Sequence, residues 1–207
     1  MTFRSFARQF RGGVFMLGAR PKKAAGIVSL ATLIIAANAS GAAAQIANGN
    51  FEAPVVSGLY STVQATGQIG AWTVTHGSVN HGKAPGQTTC ATSNGQCVDL
   101  NGGAPGGIIQ KINLTCEKPR WRVDWMMSRH LQLKEAALEA FVGNASQGTF
   151  THNTAGVSAT DGKWQAKSFT FVATAPTAEL KFVSKVATGA AGPQIDNVTL
   201  SFVGCGR

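Results

Sequence analysis

Apolar and aromatic residues recur at every second position in several short stretches of this chain. The clearest stretches are residues 121–125, 169–173 and 180–184, with polar residues at most of the positions between. Turn-forming pairs such as Asn48-Gly49 and Asn101-Gly102 lie between the apolar stretches. A period of two, enriched in β-branched and aromatic residues, predicts β-strands. Many short strands with frequent turns predict an all-β sandwich or barrel.

Residues 131–142 do not share this pattern, because they are mostly good helix formers. A short helix and a pair of strands are both compatible with this composition, since packing overrides strand propensity. We favour a strand for residues 138–142.

The amino-terminal region has the three parts of a signal peptide. Residues 1–23 contain six basic residues and no acidic one, and residues 24–37 are apolar and uncharged. Small residues follow, with Ala42-Ala43-Ala44 as a cleavage site and Ala37-Asn38-Ala39 as a second. We therefore expect a signal peptide over residues 1–44, with Met16 as an alternative start, and one domain over residues 45–207. A retained membrane anchor is the alternative, although the apolar run is shorter than the roughly 20 residues that span a bilayer.

Removal of this signal changes the charge of the chain. The full sequence has a formal net charge of +9, but all nine acidic residues follow the signal, which leaves +3 for the remainder. The sequence then lacks the basic stripe expected of a nucleic-acid-binding protein. We expect no nucleic-acid partner and, once the signal is cleaved, no membrane anchor. The expected location is extracellular or periplasmic.

All four cysteines lie in the predicted domain. An even number of cysteines in an exported chain indicates disulfides, and four cysteines allow three pairings. Of these we favour Cys90–Cys97 with Cys116–Cys205. A zinc site is the rival interpretation, but the sequence contains no Cys-x-x-Cys motif.

A set of short motifs resembles the DUF642 and choice-of-anchor C families. The motifs occur in family order: Asn48-Gly49-Asn50-Phe51-Glu52, Gly70-Ala71-Trp72-Thr73-Val74, Gly77-Ser78-Val79, Cys97-Val98-Asp99-Leu100-Asn101-Gly102, Gly106-Gly107-Ile108-Ile109-Gln110, Trp164 before Phe169-Thr170-Phe171, and Gly192-Pro193-Gln194-Ile195-Asp196-Asn197-Val198. The resemblance implies a galactose-binding-like jelly-roll sandwich, related to carbohydrate-binding modules and found in cell-wall and extracellular proteins. Residues 129–141 depart from the family pattern.

Glu52 and Asp196 are the candidate metal ligands. We expect them in the first and last strands, which are neighbours in some jelly rolls, and similar modules hold a structural calcium at this kind of position. Calcium prefers carboxylate and carbonyl oxygens. The alternative is that both carboxylates accept hydrogen bonds from backbone amides.

Candidate ligand-binding residues lie in loops or at strand ends. Asp99 and Asn101 have the side-chain chemistry that binds sugar hydroxyls, although a turn-capping role is the alternative. The other candidates for exposed contacts are these four residues: Tyr60, His76, His81 and Arg129. We expect the tryptophans in the core rather than at a sugar site, since Trp121 and Trp125 share one strand face with Val123. We also expect the four histidines to be solvated loop residues.

The sequence singles out no catalytic group. No pair of carboxylates stands out for glycoside hydrolysis, and no nucleophile elbow is present. The prediction is a secreted, non-catalytic module that recognises cell-wall or extracellular polysaccharide. The alternatives are a structural or adhesive protein that binds other proteins and, less favoured, a glycoside hydrolase.

Overall fold

The computed structural model describes residues 46–86, 89–92, 95–114, 119–153 and 163–205. The predicted signal peptide lies outside these ranges. Within them the regular structure consists of twelve β-strands: β1 (Tyr60–Gln64), β2 (Gln68–Ile69), β3 (Trp72–His76), β4 (Ser78–Gly82), β5 (Cys97–Asp99), β6 (Gly107–Asn113), β7 (Pro119–Arg129), β8 (Glu135–Val142), β9 (Ala145–Asn153), β10 (Gln165–Val172), β11 (Thr177–Ser184) and β12 (Pro193–Cys205). Nowhere in these ranges is there a helix long and apolar enough to cross a membrane.

The strands form two antiparallel sheets of six strands each. The first sheet has the order β1-β4-β5-β12-β7-β10, and the second has the order β2-β3-β6-β11-β8-β9. The all-β jelly-roll sandwich predicted from the sequence is confirmed. The strand favoured for residues 138–142 is confirmed, and it begins earlier, since β8 extends from Glu135 to Val142. Its alternate side chains Ala136, Leu138 and Ala140 are buried.

The core lies between the sheets, and aromatic side chains link the two layers. Trp125 of β7 in the first sheet lies 4.7 Å from Phe150 of β9 and 5.2 Å from Phe182 of β11, measured between ring centroids, and both partners are in the second sheet. Trp72 and Trp121 are also fully buried, as expected of core residues. Trp164 is half-buried, and its indole N–H donates to the carbonyl of Thr89.

One predicted disulfide is confirmed and the other stays a prediction. Cys90 is bonded to Cys97, which ties the segment before β5 to that strand. Cys205 is disulfide-bonded as well. Its predicted partner, Cys116, lies outside the described residues.

Candidate functional site

A row of polar side chains crosses the outer face of the first sheet. The strand registers pair Thr62 with Asn80, Asn80 with Asp99, Asp99 with Gln194, and Gln194 with Ser128. The neighbours of these positions along the strands point into the core. Among them are Val79, Val98, Ile195 and Met127. Because side chains alternate between the two faces of a strand, the polar row lies on the opposite face. We call these five residues the polar row.

Loop segments cover most of the polar row. Thr62 on the edge strand is exposed, whereas the other four members are buried. A Cβ atom built on Gly86 would lie 1.6 Å from the Nε2 atom of Gln194 and 3.2 Å from the Oδ2 atom of Asp99, so the backbone at Gly86 sits directly on the row. The disulfide at Cys90 holds the end of this covering segment against β5.

Asp99 and Asn101 lie together at one end of β5. The carboxyl Oδ1 atom of Asp99 accepts a hydrogen bond from the backbone N–H of Asn101 at 2.8 Å. This is the turn-capping role that the sequence offered as the alternative to sugar binding. The Nδ2 atom of Asn101 donates to the carbonyl of Gly189 at 3.0 Å. Burial raises the pKa of Asp99 well above its usual range, and backbone hydrogen bonds from Asn101 and Gly192 oppose this shift.

Glu52 and Asp196 are brought together by the loop that precedes β5. Asp196 Oδ2 accepts the backbone N–H groups of Ala91 and Thr92 at 3.1 and 3.3 Å, and Glu52 Oε1 accepts that of Gln96 at 3.0 Å. Burial raises the pKa of Asp196 to about 6, and the nearby negative charge of Glu52 contributes to the rise. The placement of Glu52 differs from the prediction in one respect, since it lies in an irregular segment before β1 and not in a strand.

The two carboxylates fit a calcium site in part. Both present oxygen atoms, which calcium prefers, and neither forms an ion pair with a basic side chain among the described residues. However, no third acidic, histidine or cysteine side chain joins them in the ranges that the structure covers. The remaining ligands of a calcium ion would therefore be backbone carbonyls or water.

The other predicted contact residues divide into exposed and buried ones. Tyr60 and His76 are exposed as expected. The expectation of exposed contacts is wrong for His81 and Arg129, whose exposed fractions are 1% and 2%. His81 Nε2 lies 2.7 Å from the carbonyl oxygen of Phe51, and Arg129 donates to the carbonyls of His130 and Leu131. Both side chains hold loops in place from within the domain.

The expectation of solvated histidines is also wrong for His130 and His152. Both are buried, and burial lowers the pKa of each. The ring of His152 lies against the carbonyl of Lys163, and the positive charges of Lys167 and Arg129 lower its pKa further. Its neutral form is therefore favoured in the folded protein.

Because His152 is buried in its neutral form, we expect the folded protein to lose stability in acid. The unfolded chain binds a proton at His152 near pH 6.5, whereas the folded chain does so only at lower pH, so the contribution of His152 to stability is lost as the pH falls below about 6.5. Between pH 7 and pH 5 we therefore expect part of the decrease in the free energy of unfolding to come from this group. Urea unfolding at several pH values should show a shallower decrease for His152→Gln. The matched control is His76→Gln, which changes an exposed histidine and should keep the decrease; equal slopes for both variants would contradict the prediction.

An exposed apolar patch lies beside the polar row. Val55, Leu59 and Tyr60 have exposed fractions of 80%, 68% and 50%. Tyr60 and Thr62 project from the same face of β1, where the hydroxyl of Thr62 donates to Asn80 Oδ1 at 2.7 Å. The patch, which we define as Val55, Leu59 and Tyr60, therefore continues into the exposed end of the polar row.

Gln96, which was not a candidate from the sequence, fixes the backbone on either side of Val55 in the patch. Its side chain donates to the carbonyls of Phe51 and Pro54 and accepts the N–H of Val56 at 2.7 Å. Gln194 of the polar row was not a candidate from the sequence either. A glutamine carries no local signal of either role, because each depends on partners that lie 40 or more residues away in sequence.

Together, these features define the chain as a disulfide-bonded β-sandwich with a polar sheet face covered by loops. The family model described as "Protein of unknown function (DUF642)" matches residues 44–201. The chain belongs to the DUF642 family, as its motifs predicted. The resemblance to choice-of-anchor C proteins stays a prediction, and no curated protein matches the sequence significantly.

Several solved structures share parts of the architecture at low sequence identity. A family 35 carbohydrate-binding module from Clostridium thermocellum is 12% identical, with 68% of this chain and 97% of that chain covered and a TM-score of 0.46. The family 35 module from Paenibacillus barcinonensis is 18% identical, with 68% and 98% covered and a TM-score of 0.41. A further similar structure, of TmCBM61 in complex with β-1,4-galactotriose, is 13% identical, with 76% and 97% covered and a TM-score of 0.45.

Proposed function

We propose that this protein is a secreted, non-catalytic module that binds polysaccharide through the patch and the adjoining exposed end of the polar row. The observation that carries the proposal is an aromatic ring, Tyr60, that is half exposed on a sheet edge beside hydrogen-bonding side chains. Sugar rings present apolar C–H faces that pack on aromatic and aliphatic surfaces, while their hydroxyls need polar partners.

The charge of this surface favours a neutral ligand. Residues 53–64, which include the whole patch and β1, contain no charged residue. Ser61, Thr62 and Gln64 add uncharged donors and acceptors next to Tyr60, and all three are exposed. This combination suits a neutral polysaccharide better than an acidic one, which would call for basic side chains.

Two features support this proposal: a disulfide supports secretion, and the arrangement of two carboxylates supports a binding role over catalysis. The Cys90–Cys97 disulfide is of the kind that persists in oxidising compartments, consistent with the predicted export signal and with an extracellular or periplasmic location. Glu52 and Asp196 accept hydrogen bonds from backbone N–H groups of the loop before β5. That arrangement suits a structural role better than glycoside hydrolysis, in which both groups must face the scissile bond.

Retention on insoluble polysaccharides tests this proposal. The purified protein should be retained on at least one neutral glycan from a panel of cellulose, xylan, galactan, mannan and chitin. Tyr60→Ala should weaken that retention about tenfold, because loss of the ring removes about 1.4 kcal/mol of packing. Tyr60→Phe keeps the ring and should bind nearly as well as the original protein.

A matched control keeps this experiment specific. Phe202 is 49% exposed but lies on β12 and packs on Trp121, at a ring-centroid distance of 5.3 Å. Phe202→Ala should leave glycan retention unchanged. The proposal is wrong if no glycan retains the protein. Capture of surface proteins in the absence of any glycan binding would instead support the structural or adhesive alternative.

We further propose that Glu52 and Asp196 bind a structural calcium ion. The support is the pairing of two carboxylates, each placed by loop amides, and neither carboxylate forms an ion pair among the described residues. Calcium supplies the positive charge that would relieve their mutual repulsion.

Calcium should then stabilise the folded protein. At a calcium concentration of 100 times the dissociation constant, binding to the folded state alone adds about 2.7 kcal/mol, which raises the melting temperature by roughly 5 to 10 °C. Differential scanning calorimetry with calcium and with EGTA measures this shift. Asp196→Asn should abolish the shift, whereas Asp124→Asn, which changes a half-buried carboxylate paired with Arg122, should keep it. An unchanged melting temperature in EGTA would contradict the proposal.

A further inference from the structure

One buried glutamine holds the loop that carries part of the apolar patch. Gln96 lies directly before β5 and has an exposed fraction of 2%. Its Nε2 atom donates hydrogen bonds to the carbonyls of Phe51 and Pro54 at 3.2 and 3.0 Å, and its Oε1 atom accepts one from the N–H of Val56 at 2.7 Å. The last two bonds lie on either side of Val55, whose side chain is exposed. A single buried side chain therefore fixes the backbone around an exposed member of the patch.

The backbone of Gln96 is itself anchored. Its N–H donates a hydrogen bond to Glu52 Oε1 at 3.0 Å. The next residue, Cys97, belongs to β5 and is disulfide-bonded to Cys90. Gln96 is thus fixed to the first sheet, and through its side chain it fixes residues 51–56 to the same sheet.

The strand register places Gln96 at the same end of the first sheet as Tyr60. Tyr60 pairs with Gly82 of β4, and Gly82 pairs with Cys97 of β5. A Cβ atom built on Gly82 would lie 2.4 Å from the carbonyl oxygen of Leu59 and 2.5 Å from Tyr60 Cα. The patch therefore has two supports, since β4 packs closely against Leu59 and Tyr60 while Gln96 holds the third member.

The loop needs such a support because it lacks strand pairing of its own. Residues 51–59 form no strand, so no ladder of backbone hydrogen bonds holds them in one conformation. A ligand that must order a loop on binding loses affinity, because part of the interaction free energy is consumed by the ordering. The apparent affinity falls in proportion to the fraction of molecules in which the loop is already in its binding position.

We propose that Gln96 is a positioning residue of the glycan site, which holds Val55 in the position from which it contacts the ligand. Gln96 does not touch the ligand, because its side chain is buried and both of its amide hydrogens are bonded to backbone carbonyls. This inference rests on the proposed function, since it assigns a role at the patch through which the polysaccharide binds.

Replacement of Gln96 by methionine tests the inference, with Gln110→Met as the matched control. Methionine keeps the length of the side chain and removes its hydrogen bonds. Gln110 is also a buried glutamine, and it accepts from the N–H and donates to the carbonyl of Ala47, both at 2.8 Å. At a temperature at which both variants are folded, Gln96→Met should bind the retaining glycan about fivefold more weakly than the original protein. Gln110→Met should bind it as the original protein does.

A double-mutant cycle with Val55→Ala distinguishes positioning of Val55 from a general loosening of the domain. If Gln96 acts through Val55, truncation of Val55 removes most of what Gln96 contributes to binding. Gln96→Met should then weaken binding less than about twofold in the Val55→Ala background. An equal loss of affinity in both backgrounds would overturn the inference.

Amide hydrogen exchange of the original protein needs no variant to fold. The Val56 N–H should exchange slowly because Gln96 accepts it, and addition of the glycan should slow its exchange further. Unchanged exchange at Val56 on glycan binding, or equal affinities of Gln96→Met and Gln110→Met, would overturn the inference and leave the proposed function intact. If no glycan retains the original protein, the proposed function is wrong and the inference is wrong with it.

Discussion

Replacement of Gly77 by alanine will destabilise the domain by about 3 kcal/mol or more. Gly77 has a φ angle of +58°, a left-handed conformation that costs an alanine about 1 to 2 kcal/mol. A Cβ atom there would also lie 1.9 Å from the carbonyl oxygen of Pro105, which is backbone and has little room to move. The turn between β3 and β4 and the loop that follows Asn101 would both have to shift.

Gly143 supplies the matched control for this prediction. It has the same φ angle of +58°, but no atom lies within 4 Å of the position that a Cβ atom would occupy. Gly143→Ala should therefore cost only the conformational part, about 1 to 2 kcal/mol. Urea unfolding of both variants distinguishes the cost of the left-handed φ angle from the cost of the close contact with Pro105. Equal losses of unfolding free energy would show that Pro105 does not make the close contact.

Replacement of Trp125 by alanine will cost about 4 kcal/mol of folding free energy. Its ring contacts Phe150 and Phe182 of the second sheet and lies 5.9 Å from Phe169 of the first, between centroids. Truncation of a fully enclosed aromatic side chain removes its transfer free energy and leaves a cavity, which together cost about 3 to 5 kcal/mol. Because these contacts join the two layers, the loss will weaken the packing of one sheet on the other.

Trp164 is the control for Trp125, because it is half-buried and lies outside the contact between the sheets. We expect Trp164→Ala to cost about half as much or less. Denaturant unfolding followed by far-UV circular dichroism measures both variants. A Trp125 variant of nearly unchanged stability that loses glycan retention would contradict the assignment of Trp125 to the core.

Stability and glycan retention should therefore respond to different residues. Tyr60→Ala should reduce retention with little effect on stability, since the side chain is half exposed. Gly77→Ala and Trp125→Ala should lower the melting temperature first. Any loss of retention in those two variants should follow the fraction of unfolded protein.

The strands and the core could be predicted from the sequence because their signal is local. Alternation at every second position reports which side chains share a face, and it placed Trp121, Val123 and Trp125 together in the core without knowledge of the partner strands. Buried apolar positions in β8 show the same alternation, even though that segment is rich in helix formers. The Cys90–Cys97 pairing was also within reach, since only six residues separate the two cysteines.

The candidate site could not be predicted to the same degree, because its members come from distant parts of the chain. Thr62, Asn80, Asp99, Gln194 and Ser128 form one row only through the register of five strands. The burial of His81 and Arg129 likewise depends on the loops that cover them. A polar residue beside a turn looks the same in sequence whether a loop covers it or leaves it in water.

The sequence by itself therefore determined the class of fold, the disposition of the core and the resemblance to the DUF642 family, because side-chain periodicity and short ordered motifs are properties of neighbouring residues. Only the tertiary structure decided which polar groups are buried together and which are exposed. Long-range strand pairing set Asp99 beside Gln194, the covering loops buried both, and the edge position of β1 left Tyr60 in contact with solvent.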